Sequence, residues 1–158
     1  MERKDKINYY LDIADTVSRR STCIRRQYGA IIVHSDEIIS TGYNGAPRGR
    51  KNCHDLGRCT REELEIPSGE RYELCRSVHA EANAIISAAR RDMLGGTLFL
   101  SGRVYPQGEI LADTMSCTMC KRLIINAGIQ KIVCKTGDTD YIVIEVRDWI
   151  FGDDSLNR

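Results

Sequence analysis

The order of apolar and polar residues along the first third of the chain predicts a helix followed by a hairpin. Between residues 6 and 21, apolar side chains recur three or four positions apart with charged residues between them, which is typical of an amphipathic helix. Two short β-branched runs follow at 30–33 and 38–41, and the polar pair Ser35 and Asp36 between them favours a turn. This part of the sequence therefore predicts one helix and two paired strands.

Strand-like and helical segments alternate through the second half of the chain. An alanine-rich helix is expected from residue 79 to about residue 92, ended by Gly95 and Gly96. The later segments are a strand at 97–102, an irregular stretch at 103–116, a helix at 117–128, strands at 130–135 and 141–146, and a short helix at 147–151. A hairpin followed by this alternation predicts an α/β domain with a mixed sheet covered by helices.

A polar stretch, residues 48–76, separates these two parts. It shows only a weak helical period and contains Cys53, Cys59 and Cys75. A connection of about thirty residues without regular structure is uncommon in a compact domain. We therefore expect something to order it.

Length and composition bound the class of protein. The 158 residues suffice for one domain, 1–158, and the hydrophobic and charged fractions, 42% and 28%, are ordinary for a globular protein. A formal net charge of +1 provides no strong overall field that attracts nucleic acid or an anionic membrane, and leaves open only a local basic patch. No stretch approaches the roughly 20 apolar residues of a membrane span, and no secretion signal is visible, so a cytoplasmic location is expected. Seven cysteines there favour thiols, metal ligands or catalysis over disulfides.

Four residues at the starts of two predicted helices offer a zinc site with a proton carrier. Catalytic zinc commonly takes three protein ligands and leaves the fourth position to water. Cys117 and Cys120 are spaced so that both sulfurs can reach one ion from a helix N-terminus, where the helix dipole favours thiolate. His79 can supply the third ligand from the other helix. Glu81 projects from the same turn as His79 and is free to handle protons beside the bound water.

Each of these residues also has an ordinary explanation. A Cys-x-x-Cys pair in a cytosolic chain is often redox-active or structural. A histidine at a helix start is commonly a capping or packing residue, and a glutamate in the first turn complements the helix dipole. Together, however, His-x-Glu followed by Cys-x-x-Cys, each at the head of a helix, forms the signature of the zinc-dependent deaminases.

Longer motifs extend this match, and the chain resembles the cytidine deaminase superfamily, most closely the deoxycytidylate deaminases. The resemblance runs from about residue 7 to residue 133 and rests on "YGAIIV", "STGYNGAPRG", "CRSVHAEANAI", "GGTLFL" and "CTMCKRLIINAGIQKIV" in the family's order. It implies a three-layer α/β/α sandwich with a mixed five-stranded sheet and a zinc ion between two helix N-termini. It also implies hydrolytic deamination of a cytosine ring at the 5′-monophosphate level, dCMP to dUMP.

The resemblance assigns residues to the substrate as well. Asn44 in "GYNG" is expected to contact the sugar hydroxyl and the backbone at Ala80 to meet the pyrimidine edge, although Asn44 could instead be a turn residue that tolerates positive φ. The 5′-phosphate needs cationic or N–H donors. Arg26 and Arg122 are selected for it, and Arg122 has the better position because it follows the second zinc cysteine by two residues. Further cations near these motifs are Arg48, Arg50, Lys51 and Lys121.

Two features depart from the family's pattern. The residue before the first zinc cysteine is usually proline and here is Ser116, which loses a fixed φ at the helix start but no ligand. An insertion, residues 103–115, lies where the family's strand runs almost directly into that proline. Because it lies close to the expected site, the insertion affects the expected substrate more than the expected reaction type.

Four further cysteines, Cys23, Cys53, Cys59 and Cys75, predict a second, structural zinc site. A closed tetrahedral site would order the polar segment and hold it against the first helix. Some phage relatives in the family carry a second zinc with ligands at positions that resemble Cys23 and Cys53, whereas Cys59 and Cys75 are our own inference and His54 could replace one of them. Four reduced, partly buried thiols are the alternative.

Other functions and partners stay open at the level of sequence. The same zinc chemistry could act on a base in tRNA, against which near-neutral charge and 6% aromatic residues argue. It could act on a free nucleoside or a pterin-like ring, or the fold could be a zinc-stabilised interaction module. The family also includes hexamers regulated by deoxynucleoside triphosphates, so a homo-oligomer, a hexamer included, and regulation by dCTP or dTTP are expected.

Overall fold

A computed structural model describes residues 1–152, which form a five-stranded mixed sheet between helices. In chain order the elements are α1 (Lys6–Ser18), β1 (Arg26–His34), β2 (Glu37–Tyr43), α2 (Cys53–Leu56), α3 (Thr60–Glu63), a 3₁₀ turn (Tyr72–Leu74), α4 (Ala80–Ile86), α5 (Arg90–Met93), β3 (Thr97–Val104), α6 (Thr118–Ala127), β4 (Lys131–Lys135), β5 (Tyr141–Glu145) and α7 (Val146–Gly152). The end of the expected domain, residues 153–158, lies outside the described residues.

The strand order is β2-β1-β3-β4-β5. β1 pairs antiparallel with β2 and β3, β3 runs parallel to β4, and β4 pairs antiparallel with β5. The hairpin and the mixed sheet expected from the sequence are therefore confirmed. No helix within residues 1–152 has the length and apolar character needed to cross a membrane.

One face of the sheet is covered by α1. Ile31 and Val33 of β1 alternate onto this face, where they belong to one buried cluster with Phe99 of β3 and with Leu11 and Ala14 of α1. Successive side chains of a strand point to opposite faces, so the residues between them must pack elsewhere. Alternate side chains of β1 thus belong to the buried clusters on the two opposite faces of the sheet.

The opposite face carries α4 and α6. Ala30 and Ile32 of β1 pack here with Leu100 of β3, Ala84 of α4 and Ile124 of α6, all fully buried. Helices on both faces make the three-layer α/β/α sandwich that the resemblance implies. The two helices on this second face are the ones that begin at the candidate zinc ligands.

Local sequence explains the first helix and the hairpin. Asp5 caps α1 by accepting a hydrogen bond from the Asn8 backbone N–H at 2.9 Å. Ser35 and Asp36 have φ values of 52° and 62°, the two positive values that a type I′ hairpin turn requires. Tyr10 donates to the Asp36 carboxylate at 2.5 Å, which ties the turn to α1.

The alanine-rich helix expected from residue 79 to residue 92 is wrong as one element. It is broken into α4, which ends at Ile86, and the single turn α5, which begins at Arg90. Met93 and Ala84 are both buried in the same core. In one continuous helix they would lie about half a turn apart around the axis, at roughly 100° per residue. The break lets both side chains face the sheet, a tertiary demand that overrides alanine's helix propensity.

Strand β2 fixes the position of α4. A Cβ at Gly42 would lie 2.4 Å from both the carbonyl oxygen of Ala80 and the amide nitrogen of Ala84, so only glycine permits this approach. Ser40 donates to the Ala84 carbonyl at 2.7 Å, and the Asn83 side chain donates to the Tyr43 carbonyl at 2.8 Å. The start of α4, where the candidate site lies, is therefore held by the sheet.

The polar segment 48–76 is ordered by short elements. It contains α2, α3 and the 3₁₀ turn, of which the sequence shows only the weak period near α3. Asn52 and Asp55 form a capping box at the start of α2. Arg61 is buried in this segment, with 6% of its surface exposed.

Candidate metal centre

His79, Cys117 and Cys120 meet between the N-termini of α4 and α6, as the sequence predicts. His79 is the N-cap of α4 and Cys117 the N-cap of α6, both with extended backbones. The Nδ1 atom of His79 lies 3.5 Å from the Cys117 sulfur and 3.4 Å from the Cys120 sulfur. Two helix starts therefore bring one nitrogen and two sulfurs to one point.

The spacing of these three atoms fits a tetrahedral zinc ion. With Zn–S bonds of about 2.3 Å and Zn–N bonds of about 2.0–2.1 Å, tetrahedral angles place nitrogen and sulfur about 3.6 Å apart. Among residues 1–152, this is the one group of three or more potential ligands whose donor atoms all lie within 4.8 Å of one another. Three protein ligands leave a fourth position for water, which is the arrangement of a catalytic rather than a structural site.

The electrostatics of the three ligands favour a cation. Burial lowers the pKa of His79, but hydrogen bonds with Cys117 and Cys75 outweigh it and raise that pKa to about 10. The hydrogen bond from Cys120 lowers the pKa of Cys117 to about 4 against the effect of burial, while the same bond raises the pKa of Cys120. A thiolate that stabilises a positive charge on His79 also favours a bound metal cation.

Glu81 lies in the first turn of α4, beside this group and almost fully buried. Burial raises the pKa of its carboxyl above the usual value. Ser116 donates to its Oε1 at 3.1 Å. A carboxyl in such a position exchanges its proton closer to neutral pH, as a general acid–base residue must.

A cavity opens onto the three ligands and contains three of the expected substrate residues. Asn44, Ala80 and Arg26 lie in its wall together with His79 and Glu81. Other residues that line it are Cys23, Arg25, Tyr28, Cys59, Arg61, Ser68, Tyr72, Cys75, Ser77, Met115 and Cys117. The structure therefore gathers residues from four separate parts of the sequence around the candidate metal centre.

Arg122 does not lie in this wall. It follows Cys120 by two positions on α6, about 200° around the helix axis, and is exposed. The sequence distance of two residues suggested proximity to the site, but helical geometry turns the side chain away from it. Arg26, at the start of β1, is the selected arginine that reaches the cavity, where its side chain is hydrogen-bonded to Tyr28.

The side chain of Asn44 is held by protein contacts. Its Oδ1 accepts from the Tyr28 backbone N–H at 2.8 Å and from the Ser21 hydroxyl at 2.5 Å, and its Nδ2 donates to the Arg26 carbonyl at 2.9 Å. Asn44 therefore joins the start of β1 to the end of β2, and its amide orientation is fixed. This structural role accompanies its place in the cavity wall.

Tyr72 is a site residue that sequence reasoning missed. Its ring meets the His79 ring edge-on, with centroids 5.0 Å apart, and the Arg61 guanidinium lies over the Tyr72 ring, 4.3 Å from its centroid. Tyr72 is one of the seven tyrosines of the chain and lies in the polar segment 48–76. No sequence signal separates it from the others, because its contact with His79 depends on how the segment folds back.

The four cysteines assigned to a second zinc gather in one region without forming a closed ligand set. Cys23, Cys59 and Cys75 line the cavity, and the pKa of buried Cys53 is raised by burial and by the three other thiols. Among the described residues, no three of these sulfurs lie within 4.8 Å of one another. His54 contacts the Tyr105 hydroxyl at 3.3 Å.

The insertion 103–115 is an ordered part of the site's surroundings. Arg103 at its start pairs with Asp15 of α1 at 2.6 Å and also donates to the Gly108 carbonyl. Met115 at its end lies in the cavity wall. The insertion therefore contributes to the cavity that opens onto the candidate metal centre, close to the position that the sequence suggested.

Comparisons with known proteins agree with this site. Residues 4–136 match the sequence family described as the cytidine and deoxycytidylate deaminase zinc-binding region. The deoxycytidylate deaminase of Mycobacterium phage D29 is 34% identical over 137 residues, which covers 84% of this chain and 96% of the phage protein. The deoxycytidylate deaminase of Schizosaccharomyces pombe is 33% identical over 129 residues, but this chain spans only 36% of its length.

Solved structures give the same result for the fold. The dCMP deaminase of cyanophage S-TIM5 in apo form aligns with a TM-score of 0.58 and 26% identity over 87% of this chain and 88% of the phage chain. The same enzyme solved with dCMP and dUMP aligns with a TM-score of 0.57 at 26% identity, over 84% of this chain and 83% of the phage chain. A cytidine deaminase from Burkholderia pseudomallei, 14% identical with a TM-score of 0.55 over 89% of this chain and 92% of its own, shares the fold.

Proposed function

Because this chain belongs to the cytidine and deoxycytidylate deaminase family, we propose that it catalyses the zinc-dependent hydrolysis of dCMP to dUMP with release of ammonia. The observation that carries the proposal is the position of Glu81, buried in the first turn of α4 beside three atoms spaced for a tetrahedral zinc ion. The nucleotide level is supported by the similar phage enzymes, one of which was solved with dCMP and dUMP.

His79, Cys117 and Cys120 hold the zinc ion, which when bound supplies a Lewis acid that lowers the pKa of water at the fourth position. Glu81 accepts the proton that the water loses on addition to C4 of the cytosine ring. It delivers a proton to N3 and then assists protonation of the departing amino group. One buried carboxyl can serve each transfer because its raised pKa lets it both take and give the proton.

The wall of the cavity orients the nucleoside. The backbone at Ala80, fully buried beside Glu81, meets the polar edge of the pyrimidine. Asn44 uses Oδ1 and one N–H of Nδ2 for protein contacts, and the second N–H of Nδ2 is the group assigned to the sugar hydroxyl. A fixed amide suits this task because little side-chain entropy is lost when the sugar binds.

Arg26 binds the 5′-phosphate. It lies in the cavity wall, and its hydrogen bond to Tyr28 and the nearby charge of Asp113 hold its guanidinium in place. Arg25 lies in the same wall but already pairs with Glu62 at 2.8 Å. An arginine is suited to a phosphate because its planar fork can donate two parallel hydrogen bonds.

A second zinc ion, held by Cys23, Cys53, Cys59 and Cys75, is a further part of the proposal. Its support is the gathering of four thiols in one region beside the polar segment, whose few buried apolar side chains give little driving force for folding. Zinc would require neighbouring sulfurs about 3.8 Å apart. Binding therefore draws the four side chains closer together than their present spacing.

Assembly and regulation rest on the resemblance described above, whereas the single domain and the location were expected from length and composition. A homo-oligomer, regulation by dCTP or dTTP, a single domain over residues 1–158 and a cytoplasmic location remain predictions.

Ammonia release from a panel of substrates tests the function. The purified protein is incubated with dCMP, dCTP, deoxycytidine, cytosine and guanine, and dCMP is expected to give the highest kcat/KM. Highest activity on deoxycytidine or on another heterocycle would replace dCMP as the substrate and keep the zinc chemistry. No release from any of them, with zinc bound, would favour the tRNA substrate or the non-enzymatic module.

A further inference from the structure

The residue that precedes the first zinc cysteine is a serine whose hydroxyl reaches the catalytic carboxyl. Ser116 and Glu81 are 3% and 5% exposed, and the Ser116 Oγ donates to Glu81 Oε1 at 3.1 Å. Cys117 is the N-cap of α6, so Ser116 lies one residue before the cap. A fixed φ at this position is therefore not needed for the first helical turn, and the side chain is what Ser116 contributes.

Hydrogen bonds made by the insertion 103–115 fix the chain that leads to Ser116. The backbone N–H of Leu111, a buried residue, donates to the Gly102 carbonyl of β3 at 2.8 Å. The Thr114 hydroxyl, 1% exposed, donates to the Leu111 carbonyl at 2.7 Å. Because both anchors lie within five residues of Ser116, its hydroxyl is held against the carboxyl rather than left on a loose loop.

We propose that Ser116 is a positioning residue for Glu81, which fixes the carboxyl plane by holding Oε1 and so leaves Oε2 for the proton transfers. The inference rests on the proposed function, since it takes Glu81 as the proton carrier. The terminal torsion of a glutamate is broad and roughly two-fold, so a hydrogen bond to one oxygen removes a freedom that packing alone leaves. Orientation of this kind acts on the reaction rather than on substrate affinity.

Three substitutions at Ser116 distinguish the effect of its hydroxyl from the effect of its backbone conformation. Ser116→Ala and Ser116→Pro both remove the hydroxyl, and the proline keeps the residue type usual in the family. Ser116→Thr keeps a hydroxyl. Ser18→Ala is the matched control, because it removes another buried serine hydroxyl, which donates to the Asp15 carbonyl within α1 and does not touch Glu81.

The expected result is a fall in kcat of roughly ten- to a hundredfold for the alanine and proline variants, the range typical of a hydrogen bond to a charged group. Their KM and zinc content stay at the wild-type values, Ser116→Thr recovers most of the lost turnover, and Ser18→Ala keeps the wild-type kcat. A wild-type kcat in Ser116→Ala, or an equal loss in Ser116→Thr, would overturn the proposal. Loss of zinc in step with activity would also overturn it, because Ser116 would then serve the metal site.

Activity measurements on the unmodified protein show whether a negative result contradicts the role of Ser116 or the proposed function itself. All variants are compared on the substrate that the unmodified protein deaminates. Failure of the unmodified protein on every cytosine compound contradicts the proposed function. Normal activity of the unmodified protein together with an unaffected Ser116→Ala variant contradicts only the role of Ser116.

Discussion

Arg61 and Tyr72 form a stacked pair behind the candidate metal centre, with the guanidinium carbon 4.3 Å from the ring centroid. The Tyr72 ring of this pair also meets the His79 ring edge-on. Arg61 also donates from Nη2 to the carbonyls of Pro67 and Glu70, both at 2.7 Å. One buried arginine thus holds the loop that packs against His79, a candidate zinc ligand, without contacting His79 itself.

Substitution of Arg61 should loosen this loop. In Arg61→Ala, backbone amides of residues 64–75 should exchange with solvent roughly ten- to a hundredfold faster, because two charge-assisted hydrogen bonds and a ring contact are lost. Hydrogen exchange followed by mass spectrometry measures this, and amides of β1 and β3 should keep their protection. Tyr72→Phe is the control: it keeps the ring and loses the hydroxyl that accepts from the Gly69 N–H, so within residues 64–75 only the Gly69 amide should exchange faster. Unchanged exchange in Arg61→Ala would show that the loop is held by other contacts.

Glu81→Gln should abolish turnover while the site stays assembled. The amide keeps the shape of the side chain but cannot carry the proton, so kcat should fall by several orders of magnitude. Zinc content and thermal unfolding should match the unmodified protein, because no ligand is removed. Glu73→Gln, an exposed partner of Arg71, is the control and should behave as wild type. Near-normal turnover in Glu81→Gln would contradict the proposed mechanism.

The meeting of the three candidate zinc ligands with Glu81 could be predicted from sequence because short spacings decide their positions. His79 and Glu81 share one helical turn, and Cys117 and Cys120 share another, so it was enough to bring two helix starts together. Arg122 shows the limit of spacing as a guide. It is close to Cys120 in sequence, yet the rotation of α6 turns it away from the cavity.

Features that depend on tertiary packing could not be predicted in the same way. The break between α4 and α5 follows from the burial of both Ala84 and Met93 in one core, which no local propensity encodes. The contact of Tyr72 with His79 likewise follows from the return of the polar segment to the site. The sheet itself was predicted well, because the alternation of β1 and the turn at Ser35 and Asp36 are local properties.

Removal of the Arg26 charge should affect the nucleotide and not the nucleoside. In Arg26→Gln, KM for dCMP should rise roughly ten- to a hundredfold, because a charge-assisted contact with the phosphate is lost. The kcat/KM for deoxycytidine, which lacks the phosphate, should change little. Arg122→Gln provides the comparison and should leave both substrates unaffected. If Arg122→Gln alone weakened dCMP binding, the phosphate contact would be assigned to Arg122 instead of Arg26.

The number of zinc ions per chain tests the second metal site. Metal analysis of fully loaded protein should find close to two zinc ions, one in the catalytic site and one among Cys23, Cys53, Cys59 and Cys75. A Cys53→Ser, Cys59→Ser double variant should fall toward one ion and keep the catalytic zinc, because its ligands come from α4 and α6 and not from the polar segment.

A buried cysteine outside both sites provides the matched control for this count. Cys134 lies in β4, and burial raises the pKa of its thiol to about 12, so it stays protonated and inert. Cys134→Ser should therefore keep both ions, because the substitution places a hydroxyl in the core and removes no metal ligand. The double variant should unfold at a lower temperature than Cys134→Ser if the second ion orders the polar segment, because metal binding to the folded state adds directly to stability. One zinc ion per chain in the unmodified protein would contradict the second site and leave the four cysteines as thiols in the wall of the cavity and behind it.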